Sequence, residues 1–470
     1  MSPDVEDDVA RAPATGYSTD AGIEPFSADA AAEFPSADVA LGSSTIDGSG
    51  EKPGVDGLSG MVADLGYSES PSADGGRPVA GAVLSASSGQ GFAGRRVVIA
   101  NESTVTDNVG RFSFPDVTGS YDLIVVEPGG WNVSIYYGLS RRDPMLSHSM
   151  SGGSSLDTLT HSVSITGTLA ADFTFPVDSA HLVNVYYLGN HGHGAVQVGT
   201  GLLSTGPDFP PIRVGWNGKP SIVGRLVAVG QYGAEGTPWA KVYLGSLQLS
   251  LASGDKPSLD LTLSESSVGR IGGTIRLYSG NLLKGVDFTY YLPGMMGAIG
   301  LGRCSTTGAY SCVIPDLSTL GGGYCVSIVD IFGCARAKRC GGAIGMNDFS
   351  LQVQAPPQFQ KPVDGSPITK DSKLLWTSIS SGVYRLDLVP DEPSAASPRI
   401  QVYTSATQLR WPELGAIGVV FPAGSTYTCQ VSGLSPYTSL DDFASSRGLF
   451  NNHMDRQWLD SAKIGLSLVQ

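Results

Sequence analysis

The residues best equipped for nucleophilic or metal chemistry are six histidines, His148, His161, His181, His191, His193 and His453, and six cysteines, Cys304, Cys312, Cys325, Cys334, Cys340 and Cys429. Nucleophilic hydrolysis needs a Ser or Cys beside a His that a carboxylate orients. The sequence has no G-x-S-x-G elbow, no H-E-x-x-H helix, no G-x-x-x-x-G-K-[ST] phosphate loop and no H-x-x-E pair. His191 and His193 flank Gly192 and could ligate a transition metal, but no local residue supplies a third ligand. The stretch TDNVG (106–110) has too few oxygens for calcium and reads as a turn. No catalytic residue and no cofactor are expected.

Five of the cysteines fall within 37 residues, separated by 7, 12, 8 and 5 residues, without the paired C-x₂₋₄-C spacing of a zinc site. All six are disulfide candidates for an oxidising compartment. Five is odd, so one of the cluster is unpaired or reaches Cys429. Tyr136-Tyr137, Tyr186-Tyr187 and Tyr290-Tyr291 are adjacent pairs, with Trp131, Trp216 and Trp239 among them. Neighbours on a strand face opposite ways. Tyr137, Tyr187, Trp216, Trp239 and Tyr291 are therefore candidates for stacking on a sugar or a partner. The alternative places one Tyr of each pair in a core and the other at a sheet rim.

What would position these residues is strand and turn. The chain has 470 residues, 62 of them Gly, and only 15% are charged. Residues 1–77 hold 15 acidic and three basic residues, whereas the remainder holds 28 acidic and 26 basic. The near-neutral remainder excludes nucleic acid as a partner. The tail is poor in large apolar residues and is expected to be a disordered acidic tether. No run reaches the roughly 18 apolar residues of a membrane span. The start, MSPDVEDDVARAP, has no signal-peptide pattern. With the cysteines, this predicts an extracytoplasmic protein, secreted or a lipoprotein, whose signal segment or lipid anchor lies upstream of Met1.

From Val79 onward, period-two runs separated by Gly, Asp and Asn predict β-strands. A loose repeat opens at Gly81, Gly167 and Gly273, each Gly flanked by apolar residues two positions away. The first and third copies share a later piece, aligning Gly110 with Gly308, Phe112 with Tyr310, Asp116 with Asp316 and Tyr121 with Tyr324. The second copy matches poorly beyond its second strand.

Val79, Gly81, Val83, Thr106, Asp107, Gly110, Phe112, Phe114, Asp116, Val117, Tyr121, Asp122, Leu123 and Val125 make the first copy resemble the carboxypeptidase regulatory-like domain. That resemblance implies a transthyretin-like β-sandwich, used as an accessory, stalk or adhesion module. It makes Gly110, Phe112, Asp116 and Tyr121 structural. Trp376, Tyr384 and the run from Pro422 to Tyr427, then Cys429 and Val431, resemble a fibronectin type III domain. There Tyr427 would be the corner tyrosine, bonded through its hydroxyl to backbone. Residues 437–460 interrupt that pattern as an insert, with a short helix expected near Ser439.

The expected fold is all-β: tandem Ig-like or transthyretin-like sandwiches after the tail. The expected domains are 1–77 (tether), 78–160 (regulatory-like), 161–265 (sandwich), 266–354 (Cys-rich sandwich) and 355–470 (fibronectin-like). The expected function is a non-catalytic stalk or adhesion scaffold meeting a protein or glycan at the cell surface. The alternatives are a carbohydrate- or peptide-binding accessory module of a separate enzyme, and a hydrolase whose site the sequence does not reveal.

Overall fold

Alternation along Arg77–Ser85 buries Val79, Gly81, Val83 and Ser85 and turns the intervening residues outward. The same period-two rule builds nearly every element of the computed structural model. It describes residues 76–85, 91–148, 160–171, 181–190, 193–199, 208–216, 219–232, 241–278, 283–295, 297–306, 308–331, 333–392, 394, 396–412, 414–418, 421–445 and 455–469. Residues 1–75 of the expected tether lie outside the described residues, and Arg77 at its end belongs to the first strand. His191, Trp239 and His453 and the side chains of His181 and His193 also lie outside them.

The first module comprises β1 (Arg77–Ser85), β2 (Arg96–Ile99), β3 (Glu102–Val105), β4 (Arg111–Val117), β5 (Tyr121–Val126), β6 (Asn132–Leu139) and β7 (Met145–His148). The second has β8 (His161–Ala171), β9 (His181–Gly189), β10 (His193–Gly199), β11 (Asp208–Trp216), β12 (Ser221–Tyr232), β13 (Lys241–Ala252) and β14 (Ser258–Ser266). The third has β15 (Val268–Arg276), β16 (Leu283–Tyr291), β17 (Ile299–Cys304), β18 (Ala309–Pro315), β19 (Gly323–Asp330), β20 (Ala335–Gly342) and β21 (Leu351–Gln352).

All three have one strand order. Three strands lie as β4-β1-β7, β11-β8-β14 and β18-β15-β21, and four as β3-β2-β5-β6, β10-β9-β12-β13 and β17-β16-β19-β20. The second copy, poorly matched in sequence, follows the same order, with a short β13–β14 ladder joining its two sheets. The repeated glycine has a physical reason. In each module the last strand crosses parallel beside the first. A Cβ at Gly81, Gly167 or Gly273 would overlap the backbone carbonyl of Pro144, Leu259 or Phe349. The register also repeats: Val83 N donates to Gly110 O at 2.9 Å, and Ile275 N to Gly308 O at 2.7 Å.

The fourth module comprises β22 (Phe359–Lys361), β23 (Ser366–Ile368), β24 (Lys373–Trp376), β25 (Val383–Pro390), β26 (Arg399–Thr404), β27 (Gln408–Arg410), β28 (Thr426–Ser435), α1 (Leu440–Phe443), β29 (Arg456–Asp460) and β30 (Ile464–Leu468). Its three-stranded sheet is β22-β24-β27. The other sheet runs β26-β25-β28, and β28 then pairs with β30 through Thr426–Cys429 and with β29 through Ser432–Ser435.

The modules share one sheet. β6 pairs in parallel with β26, and β20 pairs antiparallel with β29. The continuous order β17-β16-β19-β20-β29-β28-β25-β26-β6-β5-β2-β3 puts the fourth module between the third and the first. The edges that β6 and β20 would otherwise expose are thereby paired. The expected insert contributes at both seams. β29 makes the seam with the third module. The α1 turn, N-capped by Ser439 Oγ accepting from Asp442 N at 3.1 Å, holds the first. Asp441 there accepts from Ser140 N and Arg141 N, each at 2.9 Å, and from Ser140 Oγ. The second module lies on the third. Arg225 donates to Leu320 O at 3.0 Å, and Leu188, Val227 and Val229 join the third module's apolar core.

Cys304–Cys312 ties the two sheets of the third module, and Cys325–Cys340 bridges neighbouring strands of one sheet. Both point to an oxidising compartment. The expectation for Cys334 and Cys429 is corrected: neither is disulfide-bonded. Burial first, and then nearby carboxylates (Asp330 and Asp460 beside Cys334, Asp387 beside Cys429), raise both thiol pKa values and keep them protonated.

Candidate functional site: the cleft at the seam of the third and fourth modules

Where β20 meets β29, the register sets Lys338 directly opposite Arg456. Like charges opposite each other in an antiparallel pair repel. Here both are also withdrawn from water, Lys338 being 2% exposed and Arg456 7%. Burial first, and then the Arg456 charge, pull the Lys338 ammonium pKa well below the usual lysine range. Burial likewise lowers that of Arg456, countered by the Tyr437 and Tyr291 hydroxyls. Lys338 Nζ sits 3.8 Å from the centroid of the Tyr291 ring, whose π-face offsets part of the cost.

At the same seam a cleft of about 270 Å³ is lined by Ala337–Arg339 of β20, Ser350–Gln352 around β21, Ser435 and Pro436 at the end of β28, and Asp455–Gln457 of β29. Its walls are braced. Arg339 donates to Ser350 O at 2.6 Å and stacks 4.7 Å from the Phe349 centroid. Gln457 donates to Gln352 O at 2.8 Å and accepts from Gln354 N at 3.0 Å. Asp455 Oδ1 accepts from Cys340 N at 2.8 Å, which leaves Oδ2 as a further acceptor on an exposed side chain. The lining thus includes Lys338, Arg339, Arg456 and Asp455, with Lys338 and Arg339 turned to opposite faces of β20.

The expected aromatic platforms are corrected. Tyr187 and Trp216 are fully buried in the second module, and Trp216 donates its indole N–H to Lys219 O at 2.7 Å. Tyr291, 4% exposed, is roofed by Lys338. Tyr137 is half-buried against the large core. The outward Tyr of each pair is covered by another module or by the strand seam, which the sequence of one sandwich cannot show. Trp131 keeps 54% exposure.

Among the residues read as structural, Tyr427 departs from its expected backbone bond. Phe112 and Tyr121 are core, Gly110 has φ +81° at its turn, and Trp376 packs 5.7 Å from Tyr384, whose hydroxyl accepts from Ile379 N at 2.9 Å. Asp116 is exposed. Tyr427 is buried against Trp411 and Phe421, but its hydroxyl faces the Ser397 side chain and makes no backbone hydrogen bond.

One Ser–His contact occurs among the described residues. Ser134 Oγ lies 2.9 Å from His148 Nδ1, inside the first module. The His is 1% exposed, and burial followed by the Arg95 charge depresses its pKa to about 3. The charge acting on it is that of Arg95, itself paired with Glu127 at 3.7 Å. No metal-competent cluster of three His, Cys, Asp or Glu occurs among the described residues, and no helix among them is long and apolar enough to cross a membrane.

No family model matches the chain, and no curated protein matches it. Similar solved structures include a leucine-rich repeat protein from Bacteroides thetaiotaomicron (10% identity, TM-score 0.18, covering 41% of this chain and 26% of that one). The Bacillus anthracis TIE protein is another (11% identity, TM-score 0.15, 59% of this chain and 51% of that one). BcpA, the major pilin subunit of Bacillus cereus, is a third (10% identity, TM-score 0.13, 59% of this chain and 99% of that one). The chain thus spans about a quarter and about half of the first two. Likenesses this slight carry no argument about function.

The cleft cations went unread in the sequence. Arg336 and Lys338 alternate with the core residues Ala335 and Ala337, which reads as a solvated outer face. Pairing with β29 and the Tyr291 ring cover that face, and the pattern of one strand carries no signal of either.

Proposed function

We propose that the chain is a non-catalytic scaffold of a secreted or surface-anchored protein, with modules akin to carboxypeptidase regulatory-like and fibronectin type III domains. The observation that supports this reading is the sheet shared by the first, fourth and third modules. Backbone ladders at both seams fix the spacing between modules, as a stalk or presenting head requires, and the two disulfides suit exposure to an oxidising medium. Small-angle scattering tests it. The folded part should scatter as one rigid body, and incubation with ester, peptide and glycoside substrates should give no turnover. Independently moving modules, or turnover abolished by His148→Gln, would overturn the scaffold reading. The cleft favours a second reading, in which the scaffold also binds a carbohydrate or peptide for a separate enzyme.

A further inference from the structure

The outer face of the β22-β24-β27 sheet gathers cations. Lys373 of β24 lies directly opposite Arg410 of β27, and Lys361 of β22 lies opposite Leu375, one diagonal step from Lys373. Leu374 and Trp376 of β24 are buried in the core, whereas Lys361, Lys373 and Arg410 are exposed. The three charged side chains therefore share the solvent side of the sheet. Like charges directly opposite each other destabilise a strand pair. Among the described residues none of the three has an ion-pair partner, and Asp371, exposed two positions before Lys373, pairs with none of them.

The chain's own excess of negative charge lies in one place. Residues 1–77 hold 15 acidic and three basic residues, and the remainder is close to balance. The densest acidic run is Asp4-Val5-Glu6-Asp7-Asp8. Its reach is sufficient. β1 and β24 lie on opposite sides of the shared sheet: Tyr136 joins the core beneath β1, and neighbouring Ile135 joins the core that holds Leu374 and Trp376. Two sheet-to-sheet spacings amount to about 20 Å. The roughly 70 residues from Asp8 to Gly76, at the foot of β1, span about 45 Å even as a coil and about 200 Å when extended. We propose that the acidic run Asp4–Asp8 docks on this face, with its carboxylates among Lys361, Lys373 and Arg410 and Val5 against the half-buried Leu375. The carboxylates turn the repulsion between Lys373 and Arg410 into charge-assisted contacts, which salt screens because the face is open to water. The docking folds the amino end of the chain back onto the fourth module. It uses neither the cleft nor the seams, so it stands or falls separately from the scaffold reading.

The test is zero-length carbodiimide cross-linking of the full chain, mapped by mass spectrometry, in about 10 mM and about 1 M NaCl. Amide links from Asp4, Glu6, Asp7 or Asp8 to Lys361 or Lys373 should dominate those made by residues 1–77 at low salt. They should fall at least about fivefold at high salt, where the screening length drops from about 30 Å to about 3 Å. Arg410→Gln leaves both lysines to react and should lower the yield about threefold or more. An equal mixture of light and heavy-nitrogen chains should give links within one chain only; a statistical share of mixed links would assign the face to a second copy and overturn the proposal. Links spread evenly over exposed lysines elsewhere, such as Lys219 and Lys241, yields indifferent to salt or to Arg410→Gln, or no links at all would each overturn it too. Absent links together with protection of Lys373 from acetylation by dextran sulfate would give the face to a foreign polyanion instead. The salt arm needs no variant, so the test stands even where a substitution disturbs folding.

Discussion

At the scale of single residues, burial decides what the polar groups do. His148 illustrates this with a measurable consequence. Its pKa in the folded chain is depressed to about 3, below the ordinary value of about 6.5 that the unfolded chain restores. The unfolded state therefore takes up the proton first. The contribution of neutral His148 is fully present above pH about 6.5 and is lost as pH falls toward about 3. Between pH about 6.5 and 4.5, where ordinary carboxylates stay ionised, it should cost about 1.4 kcal/mol of stability per pH unit. His148→Gln should remove about that much slope from the stability–pH curve measured by denaturant unfolding; identical slopes would mean that the imidazole is not desolvated. The repeat glycine makes a second case. Gly273→Ala pushes a Cβ into the Phe349 carbonyl and should cost about 1–3 kcal/mol in the same assay. A neutral outcome would show that β15 and β21 do not run so close. The glycine was legible as a repeat mark, but its cause was not, because the strand that crosses it lies some 60 to 90 residues further along the chain.

Among elements, the strands were read well and their partners were not. Alternation reports which face of a strand is apolar, and it placed β1, β4 and β5 and the paired tyrosines on strands. It cannot report that an outward face is covered. Tyr291, Lys338 and the apolar face of β12 were therefore misread or passed over. The same blindness made residues 437–460 look like an interruption, although they hold both α1 and β29. The importance of that turn can be checked at one side chain. Asp441→Ala removes the acceptor for Ser140 N and Arg141 N and should cost about 1–3 kcal/mol. Hydrogen exchange should accelerate at those two amides. Unchanged exchange there would show that α1 does not hold the first module in solution.

For the molecule as a whole, the seams set the shape. Arg336→Pro removes a donor from the β20–β29 ladder at the residue opposite Trp458. The third module, with the second on its flank, should then swing free of the fourth. Small-angle scattering should record a larger maximum dimension while circular dichroism keeps its β signature. An unaltered scattering profile would mean that side-chain packing alone holds the junction. The order of the shared sheet has a further consequence for how the chain is made. During synthesis from the amino end, β6 and β20 emerge long before β26 and β29. Until the last hundred or so residues leave the ribosome or the export channel, both strands present bare hydrogen-bonding rims to neighbouring nascent chains. The C-terminal module is thus the chain's own shield against sticking to its copies, and a stop codon just ahead of it would yield intact sandwiches that clump.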